Sequence, residues 1–120
     1  MEKPHKKLDV WKLAMELVTE VYRATEAFPK EERYSLTDQV RRAAVSIPSN
    51  IAEGAARQTR REFANFLHVA QGSLSELDTL LELSRRLEYL APDEWSALDS
   101  RMERIDKMIS GLIRRQRTTK

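Results

Sequence analysis

Residues 46–54 read SIPSNIAEG, and Ser46, Ser49, Asn50, Glu53 and then Arg57 recur there at three- and four-residue steps. Side chains spaced in this way share one face of a helix, so hydroxyl, amide, carboxylate and guanidinium groups stand in a single row. Glu53, and Glu76 further along, could supply carboxylates for proton transfer. General acid–base work needs a second matched group within hydrogen-bond reach, and without one both read better as hydrogen-bond or ion-pair partners. The row lends itself instead to backbone chemistry. Pro48 sits in its middle, and an interior proline removes one helical hydrogen bond at a cost of roughly 3 kcal/mol. Ser46, Ser49 and Asn50 are placed to satisfy the groups that a kink at Pro48 frees.

No other reactive constellation is legible. His5 and His68 are the only histidines, neither has a second histidine at i+4, and the two Glu-x-x-His motifs that a di-iron bundle draws from two helices are not both present. Glu62 precedes His68 by six residues, the wrong spacing for one helix face. Zero cysteines exclude disulfides, thiol catalysis and thiolate zinc sites. There is no glycine-rich or Walker loop to cradle a nucleotide. The chain therefore reads as a non-enzyme with no metal, cofactor or small-molecule substrate. A hydrolase or nuclease would rest on unpaired carboxylates alone.

The elements that position these residues follow from apolar periodicity. A first helix is predicted from Asp9, its N-cap, to Phe28, with a stripe of Trp11, Ala14, Val18, Val21, Tyr22 and Thr25 widened by Val10, Leu13 and Leu17. Phe28-Pro29 ends it, and residues 30–34 connect. Ser35 with Asp38 resembles a capping box that opens a second helix, whose apolar row is Val40, Ala44, Ile47, Ile51 and Ala55. Gly54 and residues 55–58 close it. Thr59 and Glu62 form a standard capping box for a third helix of about 30 residues, or some 45 Å. Its stripe runs Phe63, Phe66, Leu67, Ala70, Leu74, Leu77 and Leu81, extended by Leu80, Leu87 and Leu90. Pro92 suits the first turn of a fourth helix, which repeats Trp95, Leu98, Met102, Ile105, Ile109 and Leu112.

Four amphipathic helices without alternating strands predict an all-α, antiparallel up-down-up-down four-helix bundle with helix 2 kinked at Pro48. The 120 residues suit one domain, 1–120, with basic tails at about 1–8 and 115–120. No apolar run approaches 18 residues and no leader precedes a cleavage site, so neither membrane association nor export is expected, and the location is taken as cytoplasmic. Met15, Leu83, Met108 and Ile113 lie beside or beyond the seams, either as edge packing or as a subunit interface. Asn65, His68, Gly72, Ser75 and Thr79 form a second compact polar row, in which Gly72-Ser73 would let a neighbouring helix approach. Trp11 and Trp95 fall on core stripes and read as packing residues.

SIPSNIAEGAAR at 46–57, followed by T-x-x-E-F-x-x-F-L-x-x-A-x-G-S-L-x-E-L from Thr59 to Leu77, resembles the signature of the four-helix-bundle proteins encoded in intervening sequences of bacterial 23S rRNA genes. Asp9-Val10-Trp11 and Ala14 are similar to the start of that family. The resemblance implies a ring-forming bundle, usually a homopentamer, and signature positions at Ser46, Pro48, Ser49, Asn50, Glu53, Gly54, Arg57, Glu62 and Phe63 with a structural or interface role. It also implies kinship with accessory proteins of diversity-generating retroelements, similar pentameric bundles that bind nucleic acid and a reverse transcriptase.

Topology also sorts the charge. In such a bundle the start of helix 1, the helix 2–3 turn and the end of helix 4 meet at one end. Lys3, Lys6, Lys7, Arg57, Arg60, Arg61, Arg114, Arg115, Arg117 and Lys120 gather there against Glu2, Asp9, Glu53 and Glu62. That leaves the end at +6 and the remainder at −4 in a chain of net charge +2. Cations at the end of helix 4 favour its dipole, but Arg60 and Arg61 occupy a helix start, where positive charge is mildly unfavourable. Lys6, Lys7, Arg57, Arg60, Arg61, Arg114, Arg115 and Arg117 are thus candidates to neutralise phosphates. The expected function is a homo-oligomeric scaffold whose partner is nucleic acid, RNA first. The alternative is a protein–protein adaptor that uses the polar row of helix 2 and the outer apolar residues.

Overall fold

The computed structural model describes residues 3–117. Glu2, Lys120 and the extremities of both expected tails lie outside the described residues. Four helices account for nearly all of the rest: α1 (Asp9–Thr25), α2 (Leu36–Ala55), α3 (Arg60–Arg86) and α4 (Pro92–Arg117). Pro4–Lys7, expected as part of a tail, instead forms a 3-10 turn that packs on α1 and α2. There His5 meets Trp11 edge to face with ring centroids 4.8 Å apart.

α1 starts one residue earlier in the chain than its expected cap implies. Leu8 is the N-cap and makes no side-chain capping bond, while Asp9 is the first helical residue, where its charge suits the helix dipole. The helix ends at Thr25 rather than Phe28. The Thr25 hydroxyl donates to the Val21 carbonyl at 2.8 Å, and the Phe28 N–H turns back to the Thr25 carbonyl. The buried row is Val10, Ala14, Leu17, Val21 and Thr25. Trp11 and Val18 only flank it, and Tyr22 is exposed. Compact side chains fill the bundle axis, whereas large rings with a polar handle take its edge.

The expected capping box of α2 is not formed. Ser35 is the N-cap without a side-chain bond, the Leu36 N–H reaches the Glu32 carboxylate instead at 3.4 Å, and Asp38 pairs with Arg42 at 3.0 Å. α2 then continues through Pro48, whose ring is buried. Pro48 leaves the Ala44 carbonyl without its helical donor; one turn further on, the Asn50 amide donates to the Ser46 carbonyl at 2.8 Å and to the Ser46 hydroxyl at 3.0 Å. Ser46 and Ser73 share a 2.7 Å hydroxyl hydrogen bond across the α2–α3 contact.

Thr59 caps α3, but the reciprocal bond of a full capping box, from the Thr59 N–H to the Glu62 carboxylate, is not made. The Glu62 N–H donates to the Thr59 hydroxyl at 3.1 Å, and that hydroxyl donates to the Glu62 carboxylate at 2.9 Å. α3 is the longest helix at 27 residues. It stops in a Schellman turn, in which the Glu88 and Tyr89 N–H groups bond back to the Arg85 and Ser84 carbonyls. Leu87 is consequently exposed, while Leu90 folds back into the core from the connection. Pro92 opens α4 as expected.

α1 packs on α2, α2 on α3, α3 on α4 and α4 on α1, the arrangement of an up-down-up-down square. The body measures 49 × 26 × 19 Å. Ile113 belongs to its core and Met108 packs against it, so of the expected outer residues only Met15 and Leu83 are exposed. The glycine that permits close helix approach is Gly54, not Gly72. A β-carbon on Gly72 would meet nothing within 4 Å, and the neighbouring Ser73 is the residue turned toward α2.

Candidate nucleic-acid interface

Antiparallel packing brings the Pro4–Lys7 turn, the α2–α3 connection and the last turn of α4 to one end, and the cations are there. Two grooves open between these elements. One, of about 400 Å3, runs between α3 and α4 and is bordered by Arg60, Arg61, Asn65, His68, Gln116 and Arg117. The other, of about 700 Å3, lies between the start of α1 and the end of α4. Leu8, Val10, Met108 and Leu112 form its apolar part, with Lys7, Arg114 and Arg115 around them. Cations over an apolar floor suit a ligand with charged and flat apolar parts.

The individual side chains differ in how committed they are. Arg60 donates to the Arg115 carbonyl at 3.3 Å, placing its charge at the negative end of the α4 dipole. The helix start that makes Arg60 look costly is thus offset by the neighbouring helix end. Arg57 pairs with Glu53 at 2.9 Å and lies 4.8 Å from the centre of the Phe66 ring. Both contacts are partly exposed, and such pairs contribute little stability, ~1 kcal/mol or less. Arg61, Arg114 and Arg117 form no hydrogen bond or ion pair among the described residues. Lys6 is exposed at the same end.

The signature residues sort differently. Ser46, Asn50, Gly54, Glu62 and Phe63 are used within the chain to build the α2–α3 contact and the α3 cap. Pro48 is buried, and Ser49 and Glu53 remain exposed. Glu76 is also exposed. Among the described residues no group of three or more His, Asp or Glu side chains could hold a metal ion. No helix among them is long and apolar enough to cross a membrane.

Asn65, His68 and Gln116 are interface candidates that charge alone does not reveal. The signal was present on α3, because Arg61, Asn65 and His68 stand at i, i+4 and i+7 and so share a face. Gln116 joins them only through the α3–α4 packing.

Comparison with known proteins agrees with this architecture. A crystal structure from Bacteroides thetaiotaomicron VPI-5482, of a protein with unknown function from the S23 ribosomal protein family, superimposes with a TM-score of 0.80. It is 25% identical in sequence, and the match covers 87% of this chain and 97% of that one. No curated protein matches significantly. The family model described as 23S rRNA-intervening sequence protein matches residues 6–111, and with its motif and its bundle in place the chain belongs to that family.

Proposed function

We propose that the protein is a non-enzymatic scaffold that assembles with copies of itself and binds nucleic acid, RNA in preference, through its basic end. The observation that carries this reading is the convergence of Arg60, Arg61 and Arg117 in one groove with Lys7, Arg114 and Arg115 in the next. Guanidinium and ammonium groups neutralise phosphates and release counterions, which favours binding without sequence readout. In a pentameric ring, the assembly implied by the family resemblance, with subunits oriented alike, five such ends would share one face. Weak single contacts would then add through effective concentration. A cytoplasmic location goes with this reading.

A mobility shift with a structured ribosomal RNA fragment tests it. Binding at low salt that fades when Arg57, Arg60 and Arg61 become Ala supports the proposal, and no shift at low salt removes it. The adaptor reading draws on a different observation, the exposure of Val69 and Leu83 on α3. It would be favoured by wild-type protein that ignores RNA.

A further inference from the structure

Away from the basic end, two opposite sides of the bundle carry opposite charge. On the α1–α2 side a groove of about 630 Å3 is bordered by Arg33, Tyr34, Arg41 and Arg42. Arg41 is committed internally: its Nε donates to the Thr25 hydroxyl at 2.9 Å and its guanidinium lies 4.4 Å from the centre of the Tyr22 ring. Arg42 pairs with Asp38, both partly exposed. The Arg33 side chain forms no hydrogen bond or ion pair among the described residues, and Tyr34 is 88% exposed. Tyrosine and arginine are the residue types that anchor protein interfaces.

α3 and α4 form the opposite edge of the square. Their shared groove, of about 360 Å3, gathers Asp78, Asp99, Glu103 and Asp106. Asp106 accepts from the Gln71 amide and Glu103 pairs with Lys107. Asp78 and Asp99 have no hydrogen-bond or ion-pair partner among the described residues. Burial first, then the Asp78 and Glu103 charges, push the Asp99 carboxyl up. A guanidinium arriving from outside would relieve that repulsion.

The two grooves also overlap in height, with Arg33 and Tyr34 standing beyond the start of α2. Arg42 lies six residues into α2, Asp99 seven into α4, and Asp78 eight before the end of α3. At 1.5 Å per residue these are about 9, 10 and 12 Å from the end that carries the α1–α2 and α3–α4 connections. We propose that the grooves mate between copies of this chain, Arg33, Tyr34 and Arg42 of one copy docking against Asp78 and Asp99 of the next. This rests on the assembly reading above and names its contact.

Two different patches make a heterologous contact, and overlapping height limits any axial climb; the contact closes into a ring where the angle between the two grooves also turns each copy through a closing rotation, and runs on as a straight row where it does not. Neighbours are parallel, which sets every basic end on one face. An inverted copy would carry its acidic groove toward the other end of a 49 Å body and miss.

Light scattering at micromolar concentration on three chains tests the contact, with circular dichroism to check folding: wild type, Arg33→Glu/Arg42→Glu, and Asp78→Lys/Asp99→Lys. Wild type is expected to assemble and each variant to run as a monomer of 14.0 kDa. Mixing the two variants should restore assembly beyond the single chain, because every contact between unlike variants, the native one and the one with both charges exchanged, again pairs opposite charges. Variants that assemble like wild type overturn the proposed contact and leave assembly standing. Loss of RNA binding without loss of assembly would assign the arginine groove to RNA and also overturn it. A monomeric wild type ends the assembly reading itself. Should a charge reversal fail to fold, Arg33→Gln/Arg42→Gln and Asp78→Asn/Asp99→Asn keep the shape and must weaken assembly at least tenfold.

Discussion

A β-carbon built on Gly54 falls 2.7 Å from the β-carbon of Phe66 and 3.0 Å from the Phe63 ring. The α2–α3 contact is therefore closed around a residue with no side chain. Gly54→Ala gains about 1 kcal/mol of helix propensity but must push two helices apart, and overpacking typically costs 1–3 kcal/mol, so we expect net destabilisation of about 1 kcal/mol. Gly72→Ala, with open space around it, should stabilise the isolated subunit by up to about 1 kcal/mol. Urea unfolding of the two variants measures both. A stabilised Gly54→Ala would contradict the packing described.

Pro48 is enclosed by its own subunit, so its substitution tests helix chemistry more than assembly. Pro48→Ala restores a donor toward the Ala44 carbonyl and removes a penalty of roughly 3 kcal/mol, while losing two or so buried methylenes at about 0.8 kcal/mol each. The expected outcome is a gain of about 1 kcal/mol in thermal or urea unfolding with unchanged oligomer mass. A dissociated oligomer would show instead that the proline shapes an intersubunit surface.

Glu88 is the only non-glycine residue with positive φ among the described residues, at 63°. It occupies the position of the Schellman turn where glycine is usual, and a side chain there is strained by about 1 kcal/mol. Glu88→Gly is expected to raise stability by up to about 0.5 kcal/mol after the glycine's own entropy is counted. A loss of stability in the same assay would mean that the Glu88 carboxylate contributes more than its backbone costs.

Asp99 gives a pH dependence with a definite sign. Its carboxyl is raised by burial and by the nearby Asp78 and Glu103, so the folded chain holds this proton at a pH where the unfolded chain has lost it. Folding takes up the proton, and this contribution to stability rises as pH falls through the folded value toward the ordinary 3.8. Above that window the charged form burdens the fold. Asp99→Asn should raise the unfolding midpoint of the dilute subunit at neutral pH and remove the acid-side gain. Identical pH profiles for variant and wild type would contradict this.

The helices were legible because Leu67, Ala70, Leu74, Leu77 and Leu81, and the matching row on α4, repeat at helical spacing regardless of what they pack against. Thr59 and Pro92 marked helix starts through local chemistry alone. Ser35 misled because Glu32, in the preceding turn, reached the free N–H first. The stop at Glu88 carried no glycine to announce it. Trp11 and Tyr22 lie on the predicted stripe but at its edge, a distinction of tens of degrees that only the neighbouring helices decide. The basic end followed from topology plus charge. The bond from Arg60 to the Arg115 carbonyl, and the grooves of opposite charge on the flanks, join residues from different helices and depend on side-chain packing that spacing does not encode.

Everything functional converges on whether phosphates meet the basic end in numbers. Fluorescence anisotropy of a labelled structured RNA, titrated with wild-type protein from 50 to 200 mM salt, reads this directly. Several phosphate contacts from a multivalent face predict that log K falls linearly with log salt with a slope of about −3 or steeper. Absent binding at 50 mM salt, or an affinity indifferent to salt, would contradict the account.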